Sequence, residues 1–232
     1  MKSLFFDLNF ILAIIVAILA AVRMKTRTLL AIILSSALVM FVMETVITSD
    51  GIVRYAGSEG PSLFVVSGWA LLLVAIFGIS DLLRLWLEGL GIFEKLKGWR
   101  ALPFAAAVAA FSLFFYLEGY FDEAGQEVLA IYAAMALLGI FFSNRCSIDW
   151  NAALVVVSIA LGGYMELVGD FAGIWSYSLT EGLPIFITIA GAINAGTVQG
   201  IAFLAGVDLS SSTAGAKAED RSSDSVETGS HS

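Results

Sequence analysis

Apolar residues in this chain do not recur every second or every third to fourth position. They run on for the length of whole helices. Seven such runs stand out, at roughly 4–22, 28–47, 62–80, 101–118, 128–143, 150–168 and 183–206. A helix needs about 20 largely apolar residues to cross the hydrocarbon core of a bilayer, and the fifth run is the shortest against that measure. The first run follows Lys2 as a secretory leader would, but Asp7 and Asn9 interrupt it and no small-residue cleavage site with a polar follower stands out. It therefore reads as a helix like the others. The pattern predicts an all-α polytopic membrane protein with seven transmembrane helices.

Two stretches break the pattern. Residues 82–99 (LLRLWLEGLGIFEKLKGW) carry too many charges to span, yet Leu82, Trp86, Phe93 and Leu96 can share one face, with Arg84, Glu88, Glu94 and Lys95 towards water. This predicts a helix in the membrane interface, broken near Gly89 and Gly91, or else a loop of some apolar content. From Asp208 onward the chain is Ser-rich and charged, with almost nothing to bury, which predicts disorder.

The runs also repeat. METVITSDGIVRYAGSEGPSLFVVSG at 43–68 returns as MELVGDFAGIWSYSLTEGLPIFITIAG at 165–191. At an offset of 122, Met43 matches Met165, Glu44 matches Glu166, and Gly51-Ile52 matches Gly173-Ile174. Tyr55 matches Tyr177, and Glu59-Gly60 matches Glu181-Gly182. After a one-residue insertion Pro61 matches Pro184 and Gly68 matches Gly191; upstream, Arg23 matches Arg145 and Ser36 matches Ser158. Agreement at polar, Gly, Pro and Tyr positions is not what two unrelated apolar helices share by chance. The expected organisation is repeat 1 over 1–80 (helices 1–3), an interfacial helix and connector helix 4 over 81–122, repeat 2 over 123–206 (helices 5–7) and an acidic tail over 207–232. Units that start four helices apart enter the membrane in the same sense, so these are parallel repeats about an axis along the membrane normal. The matched loops 48–61 and 169–183 should then meet on one face, over a cavity between the halves.

Charge sets the expected orientation. Arg23, Lys25, Arg27, Arg84, Lys95, Lys97, Arg100, Arg145, Lys217 and Arg221 fall on one side and only Lys2 and Arg54 on the other. The basic side faces the cytoplasm, placing the N-terminus outside and the C-terminus inside a cell membrane. Of 232 residues 59% are hydrophobic and 14% charged, against about 25% charged in soluble domains. The surface is thus to be wetted by membrane lipid. A net charge of −8 argues against nucleic acid as a partner. One cysteine, Cys146, allows no internal disulfide, and with one histidine, His231, in the polar tail, neither a His/Cys metal site nor histidine catalysis is expected. Nothing in the chain calls for a metal or an organic cofactor. A retinal protein is excluded because no lysine lies between Lys97 and Lys217.

Candidate chemistry rests on the carboxyls, since each one near the bilayer midplane costs at least ~2.5–3.5 kcal/mol. Glu44 and Glu166 occupy equivalent places near the outer ends of helices 2 and 6, and Asp170 is one turn beyond Glu166. They are the candidate proton donors, or else caps and shared fold determinants. Glu118, Asp122 and Glu123 on the same side read more simply as caps or headgroup-facing groups. Tyr55, Trp175 and Tyr177 sit in the outer loops, where aromatics form interfacial belts but can also steady a carbocation through their π faces. Asn194 and Gln199 are amides inside helix 7 and either bond to neighbouring helices or line a pocket. Gly162, Gly163, Gly191, Gly196 and Gly200 permit close helix contact.

The order Arg145, Trp150, Glu166, Gly173, Trp175, Tyr177, Gly182, Pro184 resembles the lycopene cyclase domain of the small membrane type and the related archaeal carotenoid hydratases. The resemblance extends over most of residues 10–206 through about eight positions. It implies tandem three-helix units, a hydrophobic isoprenoid or carotenoid ligand, and acid-catalysed cyclisation or hydration of a polyene end. The chain departs from the family's cyclases in having Met43-Glu44 and Met165-Glu166 where they place Trp-Asp, and Ile185-Phe186 after Pro184 where they place glutamates. The competing expectation is a non-catalytic membrane protein that binds lipid or carotenoid, a small transporter or channel, or an assembly subunit, as an oligomer or with a partner subunit.

Overall fold

The computed structural model describes residues 2–56, 63–120, 126–177 and 183–210. Seven helices account for most of them: α1 (Lys2–Ala21), α2 (Thr26–Ser49), α3 (Leu63–Leu90), α4 (Leu102–Leu117), α5 (Gln126–Ser143), α6 (Ile148–Ala172) and α7 (Ile185–Leu204). Two three-residue strands, β1 (Val53–Tyr55) and β2 (Trp175–Tyr177), follow α2 and α6. Expected positions Glu59, Gly60, Pro61, Asp122, Glu123, Glu181 and Gly182, and the tail beyond 210, lie outside the described residues.

Five helices, α1, α2, α3, α6 and α7, are long and apolar enough to cross a membrane. The 16 residues of α4 reach about 24 Å at 1.5 Å per residue, short of a ~30 Å core. Leu4, Leu8, Ile11, Ile15 and Ile18 lie exposed on α1, one ridge of a surface rich in large uncovered apolar side chains. In water such a surface would aggregate; against lipid tails it costs nothing. The apolar runs therefore form helices that hold their own backbone hydrogen bonds, as a span requires. Together these features fit a mostly helical, multi-pass membrane protein.

The segment from 82 differs from its expectation. Residues 82–90 do not start an interfacial helix but continue α3, which runs 28 residues without a break. Arg84 Nη2 lies 2.9 Å from Asp81 Oδ1 and Nη1 lies 3.0 Å from Glu88 Oε1, so the charges pair along the helix they were expected to end. The helix stops at Gly91, whose φ of +64° reverses the chain, and a 3-10 turn follows at Glu94–Leu96.

In the packing, α3 lies on α1 and α2, and α7 lies on α5 and α6. Across the middle, α3 meets α6 and α7 meets α2, while α4 covers α7 and the side of α6. The close approach of α6 and α7 depends on glycine: a Cβ at Gly191 would stand 3.1 Å from the Ser158 carbonyl oxygen.

At one end of the bundle several features recur 122 residues apart. Gly51 (φ +70°) ends α2 and Gly173 (φ +73°) ends α6, both in the left-handed region that a Cβ disfavours. Gly51 N donates to Thr48 O at 3.1 Å, and Gly173 N donates to Asp170 O at 2.9 Å. Each glycine turns the chain into its strand, and the strands pair antiparallel with Val53 opposite Tyr177, Arg54 opposite Ser176 and Tyr55 opposite Trp175. Arg54 and Ser176 are themselves equivalent positions, so the pairing is centred on matched residues. The matched loops do meet.

Candidate functional site: a two-glutamate cavity beneath the hairpin

Eleven residues separate Glu44 from Tyr55 and Glu166 from Tyr177, and the glycine turn folds each tyrosine back over its helix end. The Tyr55 hydroxyl donates to Glu44 Oε2, and the Tyr177 hydroxyl donates to Glu166 Oε2. Trp175 Nε1 in turn donates to the Tyr177 oxygen at 3.1 Å, and the Trp175 ring packs edge-on to Tyr55 with centroids 6.0 Å apart. A Cβ at Gly169 would run into the Trp175 ring, so that glycine makes the room the indole occupies. Trp175 and Tyr177 are buried, which rules out the interfacial belt for both; Tyr55 is partly buried. Burial, then the neighbouring glutamate, holds the hydroxyls of Tyr55 and Tyr177 well above the ordinary tyrosine range. Both stay proton donors at any physiological pH.

Glu44 is 2% exposed and Glu166 is partly buried. Both line one cavity of about 30 Å3, with Met40, Met43, Trp69, Tyr132, Gly162 and Asn194 among its other walls. That is room for one or two waters. Among the described residues no lysine or arginine lines it, so a carboxylate here would have its tyrosine bond but no counter-ion. Asn194 Oδ1 is buried without a hydrogen-bond partner among the described residues, an acceptor left open at the same cavity. What the arrangement can do is exchange protons between tyrosine-held carboxyls and a group placed between them.

The structure thus brings together Glu44, Glu166, Tyr55, Trp175, Tyr177 and Asn194. It leaves Asp170 outside: α6 continues past it, but one turn is ~5.4 Å along the axis, and Asp170 does not line the cavity. Gln199 takes the structural role, accepting from Trp150 Nε1 at 2.6 Å and donating to Cys146 Sγ at 3.2 Å. Glu118 is a cap: its carboxylate accepts Ile185 N at 2.8 Å and Phe186 N at 3.4 Å, at the start of α7.

No protein family, characterised protein or solved structure compared with the chain matches it. The site therefore has to be read from its own geometry. Two of its walls, Trp69 and Tyr132, were not among the expected residues. Tyr132 stands at the place of Phe10 in the offset of 122, so a hydroxyl present at one position and absent from its match was the available signal.

Proposed function

We propose that the chain is a membrane enzyme of isoprenoid metabolism that protonates the end of a polyene of the carotenoid class. The observation that carries this reading is the pair of glutamates, 122 residues apart, each hydrogen-bonded by a tyrosine eleven residues later and both lining one cavity. A carboxylic acid of the pair gives its proton to a terminal C=C, leaving a tertiary carbocation beside the Trp69 and Tyr132 rings. An internal double bond then attacks the cation and a neighbouring C–H returns the proton to the carboxylate, giving a ring with no net change in composition. Alternatively water adds and returns its proton, giving an alcohol. Asn194 Oδ1 is the group to orient that water.

In the same reading the chain is two parallel three-helix units, α1–α3 and α5–α7, joined by α4 across a cell membrane, with the basic ends cytoplasmic. The recurrent glycine turns and the strand pairing centred on Arg54 and Ser176 support the duplication. The resemblance to lycopene cyclase domains and carotenoid hydratases supplies the substrate class.

One observation favours a second reading, a lipid- or carotenoid-binding protein without chemistry. The cavity is small, and both glutamates already hold tyrosine partners. Co-expression with a pathway that supplies an acyclic carotenoid, followed by pigment analysis, separates the two. The enzyme yields a new ring or hydroxyl that disappears in Glu166→Gln while the protein still accumulates. Unchanged pigments with carotenoid bound to the purified protein would establish binding alone.

A further inference from the structure

The carboxyl cavity shares a wall with a larger space. Between α4 and α5 lies a crevice of about 260 Å3, bounded by Val108, Phe111 and Ser112 on one side, by Leu129, Ala133 and Leu137 on the other, and floored by Tyr132 and Ile193. Tyr132 lines both this crevice and the cavity that holds Glu44 and Glu166. Its ring lies 4.6 Å from that of Phe111, centroid to centroid, and Phe111 continues through Phe115 and Phe186 into an aromatic wall along α4 and α7. The two helices touch each other little and each leans on α7 instead, so they stand apart as a fork. Ala133, Leu137 and Ser112 are exposed on the rims.

We propose that this crevice is the binding groove for the hydrocarbon chain of the substrate, which slides in sideways from the membrane, with Tyr132 as the gate between the chain and the acid pair. The inference rests on the proposed function, because the shared Tyr132 wall matters only if the cavity behind it is where the reacting end goes. Four features carry it. The lining is apolar apart from Ser112 and the Tyr132 hydroxyl, which suits an isoprenoid chain and not a headgroup. The crevice is several times roomier than the carboxyl cavity, which cannot hold a polyene end unless a wall moves. Tyr132 lines both spaces, so its side chain stands between them. Finally, the cavity that Phe10 lines at the matching position lies on another face, between α1 and α3, and is only about 40 Å3, so no space of the crevice's size opens beside Phe10 there. Besides facing the cation, Tyr132 admits the chain and holds its end against the glutamates.

The test is photolabelling of the full chain in micelles with geranylgeraniol carrying a diazirine, read by peptide mass spectrometry. Label is expected on residues 108–112 and 129–140. Ala133→Trp and Ser112→Trp plug the crevice from opposite walls at exposed positions, and each should lower that label about tenfold, equivalent to about 1.4 kcal/mol of binding. Leu34→Trp, on the exposed face of α2, should leave it unchanged. Glu166→Gln should also label normally, since it removes chemistry and not the groove. Label spread evenly over α1 and α2, label indifferent to both plugs, or label displaced as well by phosphatidylcholine as by unlabelled geranylgeraniol would overturn the proposal. Specific label in a protein that forms no product would keep the groove and remove the catalytic reading; product formation with label elsewhere would do the reverse.

Discussion

Tyr177→Phe should cost the fold more than Tyr55→Phe, although the two hydroxyls make the same bond at the same spacing. Tyr55 donates to Glu44, and among the described residues its oxygen takes no side-chain bond in return. Tyr177 donates to Glu166 and also accepts Trp175 Nε1 at 3.1 Å. Losing the first hydroxyl orphans one carboxyl oxygen; losing the second does the same and also takes from the indole N–H its acceptor at 3.1 Å. A buried polar group left without a partner costs about 1–3 kcal/mol, so the expected losses are about 1.5 kcal/mol for Tyr55→Phe and about 3 kcal/mol for Tyr177→Phe. Tyr55 is also the less buried of the two, which lets water repair part of its loss. Reversible unfolding in mixed micelles of rising SDS fraction, followed by helical circular dichroism, measures both. A Trp175→Phe background completes a double-mutant cycle: with the indole N–H already gone, Tyr177→Phe should cost no more than Tyr55→Phe does. Equal costs in the wild-type background, or no relief in the Trp175→Phe background, would refute the chain of bonds from indole to tyrosine to glutamate.

Other residues give independent checks. Glu118→Ala strips the cap from α7 and should destabilise by about 1 kcal/mol, while Glu118→Gln recovers part of it; the same SDS titration reads both. Gly169→Ala pushes a methyl into the Trp175 ring and should cost about 1–3 kcal/mol, whereas Gly89→Ala, with nothing within 4 Å of the added carbon on an exposed stretch of α3, should be neutral or slightly stabilising. Burial pushes the Cys146 thiol up to about 12, so a maleimide should react orders of magnitude more slowly with the folded protein than with the SDS-unfolded chain. The unfolded thiol releases its proton near ~8.5. Because the folded value is the higher one, this contribution to stability is whole below that pH and drains away as pH rises towards 12. Prompt labelling at neutral pH would show that the α5–α6 turn opens.

Helix positions were legible in the sequence because a run of apolar residues long enough to span admits few other structures, and the observed ends fall within a few residues of the expected ones. The length of α3 was not, since a local charge count cannot tell that Asp81, Arg84 and Glu88 neutralise one another along a helix. The hairpin was missed as structure although its residues were named: Val-Arg-Tyr and Trp-Ser-Tyr are too short for alternation to register. Matching at an offset of 122 found Glu44 with Tyr55 and Glu166 with Tyr177 as separate coincidences. That each tyrosine reaches its own glutamate follows only once the glycine turn between them is seen. Spacing put Asp170 on the face of Glu166, but it cannot say how deep a cavity goes. Tyr132 and Trp69 were hidden in apolar helices, where an aromatic reads as packing.

On the duplication proposed above, the shared acid site is a consequence of the hairpin. Two strands paired about equivalent residues can be related only by a two-fold axis through that pair, so any side chain aimed beneath the hairpin in one half meets its counterpart from the other. Glu44 and Glu166 are therefore brought to one cavity by the same turn that places Tyr55 and Tyr177. The symmetry is then broken in both directions. Asn194 stands where the first half has Leu71, Trp175 where it has Val53, and Tyr132 where it has Phe10, while Trp69 of the first half stands where the second has Ala192; the crevice between α4 and α5 lies beside the second half. A site meant only to hold two halves together has no reason to diverge at these positions. If these polar groups of the second half serve the substrate, Tyr132→Phe and Asn194→Leu, which install the first-half residues, should lower turnover more than they lower stability. A parallel loss of both would assign the divergence to folding.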